Sequence, residues 1–98
     1  MSYRKALHED QRLVLLRTLA EMPGYQANES VLQTVLSGYG HNISRDLVVS
    51  HLRYLEEQQL ITIEDMSGIQ VASLLSRGED VAAGRAVAEG VKKPGPKG

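Results

Sequence analysis

Between Ile43 and Val81 the hydrophobic pattern changes period twice, and this constrains the fold more than anything else in the chain. The stretch reads ISRDLVVSHLRYLEEQQLITIEDMSGIQVASLLSRGEDV. It begins helical: Ser44 suits an N-cap, Asp46 falls in the first turn, and Val48, Leu52 and Leu55 recur at i, i+4 and i+7. Leu47 and Val49 flank that stripe, and Leu60 tucks in past its end. The period then drops to two. Ile61, Ile63, Ile69 and Val71 alternate with Thr62, Glu64 and Gln70 around the turn Asp65-Met66-Ser67-Gly68, which predicts a β-hairpin. Ser76-Arg77-Gly78-Glu79 matches a capping box and predicts a last, Ala-rich helix from Arg77 to about Glu89, with Val81, Ala82, Ala86 and Val87 as contact residues.

Two helices are expected before this stretch. The first covers about Leu7 to Met22, with Leu13, Leu16 and Ala20, and Leu15, Leu19 and Met22, on a wide apolar face. Arg12, Arg17 and Glu21 are expected to stay wet. Pro23-Gly24 stops it. The second starts after Asn28 as N-cap, with Glu29 in its first turn, buries Val31, Leu32, Val35 and Leu36, and ends at Gly38-Tyr39-Gly40. The order is that of a winged helix-turn-helix: a mainly α fold with a three-helix core, a two-stranded wing and a C-terminal helix. Residues 1–89 form the domain and 90–98 a basic, disordered tail, because VKKPGPKG is too rich in Pro, Gly and Lys for regular structure.

Two short segments resemble a known family. SHLRYLEEQQLITIED is similar to the helix-into-wing segment of bacterial winged-helix regulators of the ArsR and MarR type, which carry Leu-x-x-Leu-Glu-x-x-Gly-Leu-Ile. Leu52, Leu55, Glu56, Leu60 and Ile61 match, and Gln59 replaces the glycine. Leu74–Ala82 resembles the Leu-Thr-x-x-Gly start of the helix after the wing, with Ser76 in place of threonine. Over nearly its whole length the chain resembles a group of small proteins of Mu-like transposable phages and prophages, in which such a stretch leads into a Lys/Pro-rich tail. That likeness implies the fold and a phage or prophage origin.

Composition narrows the function classes. The net charge is −1, and Gly90–Gly98 holds three Lys and no acid, which leaves eight basic against twelve acidic residues elsewhere. A chain held to DNA mainly through phosphates is usually basic. There is no Cys for a disulfide, a thiolate metal site or a Cys nucleophile. The scattered His8, His41 and His51 predict no metal site, and no phosphate loop or nucleophile motif appears, so neither an enzyme nor a cofactor is expected. No apolar run is long enough for a membrane span, and MSYRKALHEDQR has no apolar core for a secretory signal, which fits a cytoplasmic protein of the bacterial host.

The leading expectation is a transcriptional regulator that binds double-stranded DNA as a homodimer. Arg45, Ser50 and Arg53 lie on the recognition-helix side opposite Val48, Leu52 and Leu55, beside Asp46 and Val49. Lys92, Lys93 and Lys97 of the tail either add phosphate contacts or merely solubilise the chain. Leu7, Val14, Leu15, Val81, Val87 and Val91 either cover a dimer surface or bury within one copy. Glu64 and Asp65 at the wing tip disfavour phosphate, so the wing is expected to be structural. The alternative is a winged-helix interaction module that docks a phage or host protein and has little DNA affinity.

Overall fold

The computed structural model of the chain describes residues 3–95. In order they form α1 (Tyr3–Glu21), a single 3₁₀ turn (Pro23–Tyr25), β1 (Gln26–Asn28), α2 (Glu29–Gly38), α3 (Arg45–Glu57), β2 (Ile61–Met66), β3 (Ile69–Leu74) and α4 (Ser76–Ala82). The fold is a small mixed α/β domain of four helices and a three-stranded antiparallel sheet in the order β1-β3-β2. Leu15, Leu16 and Leu19 of α1, Leu32 and Leu36 of α2, and Val48, Leu52 and Leu55 of α3 are all fully buried. Leu60, Ile61 and Ala72 close the core from the sheet side, and Val81 from α4.

Local chemistry sets the helix boundaries. The Asn28 side chain accepts from Val31 N at 2.9 Å and Ser44 Oγ from Leu47 N at 3.1 Å, so both expected N-caps form. Three helices end in the same double reversal, the Schellman arrangement. After α2, Gly40 N reaches Ser37 O and His41 N reaches Leu36 O. After α4, Gly84 N reaches Val81 O and Arg85 N reaches Asp80 O. After α3, Gln59 N reaches Glu56 O and Leu60 N reaches Leu55 O. The motif needs a left-handed residue. Gly40 (φ 87°) and Gly84 (φ 83°) supply it freely, whereas Gln59 adopts φ 63° against the steric preference of a side-chain-bearing residue. The exit from α3 thus keeps the glycine geometry without the glycine.

Several expectations change. The sheet has a third strand: β1 pairs with β3 (Gln26↔Ser73, Ala27↔Ala72, Asn28↔Val71). The hairpin closes through Ser67-Gly68, both at positive φ (56° and 87°), a primed two-residue turn with Asp65 Oδ1 accepting from Gly68 N at 2.7 Å. Such a turn pairs Met66 with Ile69 and sets the parity of the returning strand. Ile61 and Ile63 therefore share the inner face with Ala72 and Leu74, while Ile69 and Val71 fall on the outer face with Met66 and Glu64. Ile63 N, on the outer edge of β2, donates to Glu56 Oε2 of α3 at 3.0 Å.

The last helix stops at Ala82, not Glu89, because Gly84 turns the chain back. Ser76 does not cap it. Leu75 is the N-cap residue, with extended backbone and its N–H on Leu60 O, so Ser76 is already helical. Val31 is exposed rather than buried, and so is Val87, which lies beyond the end of α4. Of the residues offered for a dimer surface, Val14, Leu15, Val81 and Val91 bury within the single chain, and Leu7 is half-buried. The solvated tail expected from Gly90 onward is seated at its start: Val91 is buried and Lys92 N donates to Glu9 O at 3.1 Å. Among the described residues no helix is long and apolar enough to cross a membrane.

Candidate functional site

The outward side of α3 is a shallow groove lined by Asp46, Val49, Ser50, Arg53, Tyr54 and Glu57. Residues at i, i+4 and i+7 share a helix side, so Asp46, Ser50, Arg53 and Glu57 form one polar row opposite the buried stripe. Ser50 and Arg53 are exposed, and among the described residues Arg53 has no hydrogen-bond or ion-pair partner. Arg45 is committed elsewhere. Its Nε donates to Gln33 Oε1 at 2.9 Å, and its guanidinium lies 3.8 Å from the buried carboxylate of Glu29. Glu29 in turn accepts from Gln70 N of β3 at 2.6 Å. Arg45 thus ties α3 to α2 and to the sheet.

The tail lysines part ways. Lys92 Nζ lies 3.4 Å from Asp10 Oδ1, Lys93 is exposed, and Lys97 lies outside the described residues. The tip of the β2–β3 hairpin places Glu64 and Asp65 in solvent beside exposed Met66 and Ile69.

Behind the α3 groove runs a polar chain that sequence periodicity does not disclose. Arg12 Nε donates to His51 Nδ1 (3.1 Å), and His51 Nε2 meets Gln11 Oε1 (2.8 Å). Gln11 Nε2 meets His41 Nδ1 (3.3 Å), and His41 Nε2 meets Asp10 Oδ2 (2.7 Å). A guanidinium only donates and a carboxylate only accepts, so the two ends fix every direction between them. The His51 imidazole then accepts at Nδ1 and donates from Nε2, which is the neutral ring in one tautomer, and His41 is oriented the same way between Gln11 and Asp10. Arg12 also stacks 4.0 Å from the centre of the Tyr54 ring and donates to Gly90 O at 2.9 Å. Tyr54 Oη donates to Glu89 O at 2.8 Å. The chain therefore clasps Glu89–Lys92 against α1 and α3.

The electrostatics follow. Burial, then the charges of Arg12, His8 and His41, push the His51 imidazole down to about 3. Burial, then Arg12 and Arg4, lower His8, whose ring stands edge-on to His51 at 5.1 Å between centroids. Burial alone raises the Asp10 carboxyl, but the His41 hydrogen bond and Lys92 together bring it below its ordinary value. Spacing hides this network because Asp10, Gln11 and Arg12 are consecutive. They point about 100° apart around α1 and meet partners at least 30 residues away.

Fold and site together define a small α/β domain with a clasped C-terminal segment and a bare outer face on α3. The chain belongs to the same family as the uncharacterized protein gp26 of Escherichia phage Mu: the two are 53% identical over 91 residues, 93% of this chain and 94% of gp26. An uncharacterized protein of Haemophilus influenzae is 54% identical over 78 residues, 79% of this chain and 76% of that protein. No family model matches the chain. No solved structure matches it either. The expected kinship with proteins of Mu-like phages is therefore met.

Proposed function

We propose that this is a winged-helix DNA-binding protein of Mu-like phages or prophages, a regulator that acts as a homodimer in the bacterial cytoplasm. In this reading α2 and α3 form the helix-turn-helix, α3 enters the major groove, and the β2–β3 hairpin is the wing. The element order α1-β1-α2-α3-β2-β3, with β1 returning to pair with β3, is the observation that carries it. The order leaves the outer row of α3 uncovered, with Ser50 and Arg53 as the groups for base or phosphate contact. A two-fold pair would set two such helices about one DNA turn apart. Fold alone does not fix function, so the test addresses the site. Binding to random-sequence duplex should be detectable at low salt and weaken steeply as salt rises. Arg53→Ala should cost ~1–3 kcal/mol on a specific site if the guanidinium reads a base. Unchanged binding by that variant would remove Arg53 from the interface.

One observation favours a second reading, a module that docks a phage or host protein. The wing tip combines acidic Glu64 and Asp65 with Met66 (53% exposed) and Ile69 (39% exposed), a surface suited to a protein and not to phosphate. No duplex binding even at low salt would select that reading.

A further inference from the structure

Arg53 stands beside Asp46 and Glu57, so the α3 row has no surplus positive charge with which to hold DNA. The surplus lies next door. On α1, Arg4, His8 and Arg12 are spaced four apart and Lys5 adjoins them, so all four occupy one side of the helix. With Tyr54 they line a groove of about 400 Å³. Tyr54 also lines the α3 groove, so the two run into each other across a single side chain.

We infer that this α1 groove seats the sugar–phosphate backbone of DNA while α3 faces the bases, with Arg4 and Lys5 contacting phosphate and Arg12 and Tyr54 forming the floor. This rests on the DNA-binding reading above. Among the described residues Arg4, like Arg53, has no hydrogen-bond or ion-pair partner, so exposed guanidiniums stand on both sides of Tyr54. The acids that line the groove are Glu9 and Glu89. Glu9, half-buried, lies 4.0 Å from the exposed Lys5, a long surface contact that water screens and a phosphate can outcompete. Arg12 cannot swing away, being held by His51, Gly90 O and the Tyr54 ring, and it gives the groove a fixed cation. His8 lies within this field: burial first, then Arg12 and Arg4, act against its protonation. A bound phosphate would oppose the share due to the two arginines.

The test measures binding of the full chain to random-sequence duplex by fluorescence anisotropy across a salt series. Wild type is compared with Arg4→Gln, the double variant Arg4→Gln/Lys5→Gln, and Arg53→Ala. Arg4 and Lys5 are exposed, and unchanged melting temperatures verify that the variants fold. Removing one cation from a phosphate should make the slope of log K against log salt shallower by ~0.9, so by roughly 2 for the double variant, equally for all sequences. In the complex the His8 ring, followed by NMR, should titrate at higher pH than in the free protein. If wild type and the double variant share one slope while Arg53→Ala weakens binding, the groove is overturned and the DNA reading stands. If wild type does not bind at low salt, both fall.

Discussion

Replacing His51 by Gln should flatten the dependence of stability on pH. His51 is 1% exposed, its Nδ1 accepts from Arg12 and its Nε2 donates to Gln11, so a second ring proton would face a guanidinium. Burial and the neighbouring charges of Arg12, His8 and His41 bring it down to about 3, whereas an unfolded chain titrates near 6.5. Above pH 6.5 both states are neutral at this position and it adds no pH dependence. Below it, the unfolded chain takes up a proton that the folded protein refuses. Stability therefore falls as pH falls, by up to ~1.4 kcal/mol per unit until about pH 3. Between pH 8 and pH 5 the loss from His51 is about 2 kcal/mol. His8, also lowered, adds a loss of the same sign. Urea unfolding at the two pH values measures it. With a slope of ~1–2 kcal/mol per molar, the wild-type midpoint should drop by about 1–2 M. Gln offers one acceptor and one donor, so His51→Gln should fold, start lower at pH 8 and keep only the share of His8. Equal wild-type midpoints at pH 8 and pH 5, or a variant as pH-sensitive as wild type, would refute the neutral, buried imidazole.

Two further substitutions probe the frame. Gln59→Gly should stabilise the domain by ~0.5–1 kcal/mol, because glycine adopts the positive φ at the end of α3 without steric cost, and thermal unfolding should show a rise of several degrees. No gain would mean that the side chain stabilises by contacts that offset the backbone. Gly78→Ala should destabilise by ~1–3 kcal/mol, since its Cβ would run into the Leu60 carbonyl and come within 2.7 Å of Leu74 Cδ1. An unchanged melting temperature would show that α4 is not seated on that carbonyl.

Much of this frame is legible in the sequence because it rests on local signals. Asn28 and Ser44 as caps, the Val48-Leu52-Leu55 stripe, and the reversal after Gly38 each depend on residues within one or two turns. β1 is not legible: Gln26-Ala27-Asn28 is too short to show alternation, and its partner lies in β3. The end of α4 is misread because its Ala-rich continuation outweighs Gly84 in propensity, although not in the folded chain. The inner and outer faces of the hairpin hinge on whether an even or an odd number of residues makes the turn, and Asp65-Met66-Ser67-Gly68 does not by itself fix that number. At the site, Ser50 and Arg53 follow from helical spacing. The commitment of Arg45 to Glu29 and the place of Arg12 beneath Tyr54 do not, because each depends on a distant partner.

The bond from Ile63 N to Glu56 bears on how copies of this chain can meet. A free strand edge invites a foreign strand to zip on through its open N–H and C=O groups. Here the outer edge of β2 has an amide already occupied by a helix carboxylate, and Glu64 and Asp65 follow it. The opposite edge, β1, is three residues long and follows Pro23 and a 3₁₀ turn. Neither border offers a template for sheet growth. The acids that make the hairpin a poor seat for phosphate thus also guard the domain against edge-to-edge aggregation.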